Sequence, residues 1–197
     1  RRYSARRHRA AMPQDSLPDT ARQSTRFLYL YALAVAGGSI AYIPLLTILL
    51  PVHVTKTAGE SALNLLSYIA FAGAISASLA NIGFGWASDI SGTRRPWIAV
   101  GMLLSCALLL TVPMITQPAA LIALIVCWQF ALNMMLAPLS AWAGDVVPDA
   151  QKGMLGGLMA LAPALGALSG ALVTMQGFIP DDQRLIWVAV LVVVLVG

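Results

Sequence analysis

The chain has 197 residues, of which 59% are hydrophobic and only 10% charged, whereas a soluble domain carries about 25% charged residues. That balance excludes a water-soluble globule and leaves a polytopic membrane protein. The net charge of +4 comes mainly from arginines near the N-terminus, so it reads as membrane topology and not as a nucleic-acid-binding face.

Residues 1–26 are polar, contain prolines and carry seven Arg; they read as a disordered cytoplasmic arm without the apolar block of a secretory signal. Apolar runs follow at 27–50, 63–86, 97–115, 119–143, 154–175 and 185–197. The first five are long enough to cross a bilayer. The sixth would span only about 20 Å of a hydrocarbon core about 30 Å thick. The sequence therefore reads as part of a longer chain, with its sixth helix truncated. The expected class is all-α: a transmembrane bundle occupying 27–197 and embedded in a lipid bilayer.

Orientation follows from the connections. Placing the N-terminus in the cytoplasm puts ten of the 12 Lys and Arg in inner segments and leaves Lys56 and Arg184 outside, as the positive-inside rule requires. The expected location is the plasma (inner) membrane.

Cys106 and Cys127 lie within apolar runs and have no metal-ligand spacing, so neither a disulfide framework nor a metal site is expected. No Asp, Glu, Lys, Arg or His stands in the middle of a span, which argues against an intramembrane enzyme and against a proton relay in these residues. No catalytic residue, cofactor or nucleic-acid partner is expected. A proton or sodium ion is the candidate coupling species.

The two inner loops hold the most specific signals. Between spans two and three, Gly85, Asp89, Gly92, Arg94, Arg95 and Pro96 occur within a dozen residues. Gly92 suits the positive φ of a reversal, the arginines can fork onto carboxylates or helix-terminal carbonyls, and Pro96 suits the first turn of a helix. Asp145, Pro148, Lys152 and Gly153 form the second loop. Asp145 is placed to pair with Arg94 or Arg95 across the bundle.

These loops resemble those of the major facilitator superfamily. Gly85, Asp89, Gly92 and Arg94 occupy positions of its G-x-x-x-D-[R/K]-x-G-[R/K]-[R/K] loop, while Ile90 and Thr93 replace two basic residues. Asp145, Pro148, Lys152 and Gly153 are similar to its D-x-x-P-x-x-x-R-G loop, with Lys for Arg. The resemblance implies the N-terminal six-helix half of a twelve-helix transporter, partnered by its C-terminal half. It also implies a cytoplasmic gate formed by Gly85, Asp89, Gly92, Arg94, Arg95, Asp145 and Lys152. Gly-x-x-Ser-Asp followed by Arg-Arg-Pro-Trp-Ile is similar to the glycoside and sucrose cation symporters. A small solute is then the substrate, with multidrug or metabolite antiport as the alternative and a non-transporting assembly factor as the rival class. The glycines of span five partly match an antiporter motif and read as packing.

On span four, Gln129, Asn133 and Ser140 share a helical face beside Trp128 and Pro138, and on span one Tyr31, Ser39 and Tyr42 share another. Amides, hydroxyls and aromatic rings suit a neutral polyhydroxylated ligand. The expected substrate cavity is Gln129, Asn133, Tyr42 and Trp128. The competing reading makes the amides interhelical glue and the tyrosines interfacial anchors.

Overall fold

The computed structural model describes residues 22–197, which form six helical rods and no strand. Rod 1 is α1 (Thr25–Pro44), a π-helical turn at Leu45–Leu49 and α2 (Leu50–Ala58). Rod 2 is α3 (Ala62–Ser91), rod 3 is α4 (Arg95–Thr111), and rod 4 is α5 (Pro118–Val146). Rod 5 joins α6 (Asp149–Met159) to α7 (Ala162–Thr174), and rod 6 is α8 (Arg184–Val196). The arm expected over 1–26 lies outside the described residues except for its last five, of which Thr25 and Arg26 already belong to α1.

Among the described residues, four helical stretches are long and apolar enough to cross a membrane. The first, Thr25–Ser91, doubles back where Gly59 takes φ +55°, so these stretches provide five crossings. Rod 1 runs past the apolar window into the polar VHVTKT segment, because a helix continues into water wherever its backbone remains bonded. Rod 5 is broken after Met159 because Pro163 has no N–H to offer that residue's carbonyl.

In a bilayer, apolar side chains gain little by leaving lipid, so the rods are held by close packing and interhelical polar contacts. Rod 1 packs on rods 5 and 6, rod 4 on rods 2 and 3, and rod 3 on rod 6. Exchanging rods 1, 2, 3 for rods 4, 5, 6 maps this set of pairs onto itself. Successive rods run in opposite directions, so the two triplets form an inverted repeat. Pro44 and Pro138 mark it in the sequence, with Ser39 and Asn133 each five residues before them.

Glycine sets the closest approaches. A Cβ on Gly101 of rod 3 would lie 2.4 Å from the Met135 amide nitrogen of rod 4, and one on Gly166 of rod 5 would lie 3.0 Å from the Ser39 carbonyl of rod 1. Rods 1 and 5 are also tied at one end by polar groups. Gln23 accepts and donates reciprocally with Gln151 (Gln23 N to Gln151 Oε1 2.8 Å, Gln151 Nε2 to Gln23 O 2.9 Å) and donates to the Val146 carbonyl. At the opposite end Asp181 holds Arg184 at 2.7 Å.

Candidate functional site

The site begins with the turn between rods 2 and 3. Gly92 ends α3 in the left-handed conformation, φ +64°, and returns its N–H to the Asp89 carbonyl. An alanine there would be strained although its Cβ meets nothing. Gly92→Ala is therefore expected to cost about 1 kcal/mol, seen as a modest drop in thermal midpoint of the purified protein with the fold retained. On the far side of the turn, Trp97 Nε1 donates to Ser91 Oγ at 2.9 Å and its ring lies 5.8 Å from that of Phe84. These contacts fix the direction in which Arg94, three residues back, is delivered.

Arg94 uses all three of its guanidinium nitrogens. Nη2 meets Asp89 Oδ1 at 2.7 Å, Nε meets Asp145 Oδ2 at 2.6 Å, and Nη1 donates to Ser88 Oγ at 2.8 Å. Ser88 is free to accept because its own hydroxyl donates to the Gly85 carbonyl. One planar fork thus joins the last turns of rods 2 and 4 at the start of rod 3. Its positive charge also lies where carbonyl ends of two helices converge. The Arg94 side chain is 15% exposed, against 59% for Asp89 and 51% for Asp145. Hydrogen bonding to Asp145 is the main influence that raises the Arg94 pKa; burial opposes it and Asp89 adds to it. The guanidinium is held charged, while each carboxylate keeps half its surface open to a further partner.

The structure separates the other expected gate residues. Arg95 meets no carboxylate among the described residues; its guanidinium lies 5.5 Å from the centroid of the Trp142 ring, a cation–π contact. Asp145 is therefore paired with Arg94 and not with its neighbour. Lys152 turns to Asp149 one helical turn away, at 2.6 Å, and lowers that carboxyl's pKa. This exposed pair is separate from the Arg94 fork. Gly85 presents an open face, with nothing within 4 Å of where a Cβ would be.

A second polar group lies deeper, on the face shared by rods 2 and 4. Asn133 donates from Nδ2 to the Gln129 carbonyl at 2.9 Å and accepts from Asn81 Nδ2 at 3.3 Å. Its side-chain amide is spent within the protein. Gln129 is 8% exposed, and its side-chain amide makes no hydrogen bond among the described residues. Its Nε2 stands 3.5 Å from the Cβ position of Gly73 and lines a cleft between rods 1, 2 and 4.

Of the other expected cavity residues, one points elsewhere. Trp128 is 1% exposed in the bundle core and offers no ring to a cavity: it lies one position from Gln129, which turns it about 100° around the helix. Tyr42 is half-buried against the core. Tyr31 is buried between rods 1 and 4, where its hydroxyl donates to the Leu139 carbonyl and its ring meets Phe27 and Trp142. Both cysteines are free, Cys106 buried and Cys127 exposed. No group of His, Cys, Asp and Glu among the described residues can hold a metal ion.

Asn81 and the Gln23–Gln151 clamp were not singled out in the sequence, and Ser88 stood there only as part of the loop motif. Asn81 was legible in principle: with Ser88 it recurs at seven residues on rod 2, a polar line facing rod 4. The clamp had no signal, since it joins residues 128 positions apart.

Residues 7–197 match the family model of the Major Facilitator Superfamily. No curated protein and no solved structure gives a match.

Proposed function

The chain belongs to the Major Facilitator Superfamily, and from that premise we propose that it moves a small solute across a membrane by alternating access, its six rods rocking as one half against a second six-helix half. The observation that carries this reading is the Arg94 fork. It makes the ends of rods 2, 3 and 4 one rigid piece while leaving Asp89 and Asp145 half exposed. Such carboxylates can take and release a partner on the opposing half as the gate closes and opens. The gate end then faces the cytoplasm, in agreement with the excess of Lys and Arg in the connections at that end, and the plasma (inner) membrane is the proposed location.

Mid-span carboxylates are absent from the described rods. A coupling proton or sodium ion would therefore be handled by Asp89 or Asp145, or by residues beyond these rods. The glycoside symporter reading rests on the loop resemblance; what weighs against it is that Trp128 is buried and the Asn133 amide already paired.

The test is uptake into proteoliposomes holding the full-length protein. Tritiated sucrose, maltose and benzanilide would each be offered with and without a proton or sodium gradient, and with each solute preloaded inside. Saturable uptake or exchange of any one solute supports the reading. No flux for any solute, together with co-purification of a stable membrane complex, would favour an assembly factor.

A further inference from the structure

The cleft beside Gln129 has a composition that restricts what can enter it. Its volume is about 410 Å³, and apart from Gln129 its lining is apolar, with Leu46, Leu50, Ile69, Ala70 and Ala74 prominent. Leu46 lies in the π-helical turn that follows Pro44 and Leu50 directly after it, where the wider turn displaces this side of rod 1. Gly73 leaves room above the glutamine.

Gln129 is more than nine-tenths buried, and its amide, which has no partner among the described residues, opens to the cleft. An occupant that fills the cleft shuts water away from that amide, and leaving it without a hydrogen bond would then cost roughly 1–3 kcal/mol. An occupant that supplies one acceptor or donor to Gln129 and apolar surface to the remaining wall avoids that cost. A sugar would place several hydroxyls against leucine, isoleucine and alanine and leave them unpaired. A cation or an anion would find no counter-charge in the cleft.

We propose that this cleft binds a neutral, mostly apolar molecule carrying one hydrogen-bonding group, such as an amide or a ketone, with that group on Gln129. The proposal rests on the transporter reading and names the solute class for it. It also assigns specificity to Gln129 and to the small residues at 70, 73 and 74 of rod 2, which set the width of the cleft.

Tritiated benzanilide, a neutral molecule with one amide between two rings, is the probe. Binding to full-length protein in lipid nanodiscs is measured by scintillation proximity. Saturable binding is expected, displaced by unlabelled benzanilide and not by sucrose. Gln129→Leu should weaken it about tenfold, and Ala74→Phe, which fills the cleft from an exposed position, should abolish it. Both variants are first checked for a monodisperse elution profile.

Absence of saturable binding to the wild type overturns the proposal. So does binding lost in Ala74→Phe yet unchanged in Gln129→Leu, which would mark an apolar crevice for lipid chains or for a helix of the other half. Displacement by sucrose would overturn it in favour of a polar solute. The transporter reading has its own readout, access to residue 81 from both faces of the membrane. If that access is found without benzanilide binding, only the ligand class fails; if binding is found without that access, the transport reading fails.

Discussion

Arg94→Ala is expected to leave the full-length protein folded and to lower its transport rate about tenfold, a change of about 1.4 kcal/mol in the balance between gate states. Three hydrogen bonds leave with the side chain, two of them to carboxylates. Because those carboxylates are half exposed, water takes the place of the guanidinium and the fold survives. What is lost is the rigid connection between the ends of rods 2, 3 and 4. Arg94→Lys should recover little, since a single ammonium cannot present three directed donors to Asp89, Asp145 and Ser88. A charge exchange sharpens the test. Arg94→Asp with Asp145→Arg should regain part of the rate lost in either single variant, whereas Arg95→Asp with Asp145→Arg should not. Uptake by proteoliposomes at matched protein content reads every variant. Equal rescue by the Arg95 exchange would contradict the pairing.

A second large effect is expected in the bundle itself. Gly101→Ala places a methyl 2.4 Å from the Met135 nitrogen and 2.9 Å from the Ala131 carbonyl, so rods 3 and 4 must separate. Backbone cannot rotate aside as a long side chain can, and the cost is about 3 kcal/mol. That is a large share of the stability of any fold. Fluorescence-detected size exclusion should show a collapsed monodisperse peak. Gly83→Ala is the matching control, because nothing lies within 4 Å of its Cβ position and alanine favours helix by roughly 1 kcal/mol. An undiminished peak for Gly101→Ala would mean that rods 3 and 4 are further apart than described.

Much of this was legible from the sequence. The composition and the apolar runs led to an all-α bundle, and the residues at 85, 89, 92 and 94 led to the superfamily before any geometry was known. Local chemistry explains that success: a left-handed glycine, a helix-starting proline and paired arginines act within one turn of the chain. The rod ends were less legible because hydropathy reports the lipid boundary while helices continue past it, as rod 1 does to Ala58. Which way each side chain faces was least legible of all. Trp128 and Gln129 are neighbours in sequence and nearly equally buried, yet only the glutamine lines the cleft. Arg94 and Arg95 are likewise adjacent, and one step around the helix start sends the first to two aspartates and the second to a tryptophan ring. A face can be read from periodicity, but its partner depends on the packing of rods far apart in sequence.

The most direct test of alternating access uses the exposed Asn81 position of rod 2, placed in full-length protein from which the native thiols, Cys106 and Cys127 among them, have been replaced by Ala or Ser. Asn81→Cys is labelled with a membrane-impermeant maleimide from one face at a time, in right-side-out and inside-out vesicles. Labelling from both faces, with the two rates shifted in opposite directions by a transported solute, is the predicted result. Labelling from one face alone, unchanged by any solute that the protein carries or binds, would contradict it.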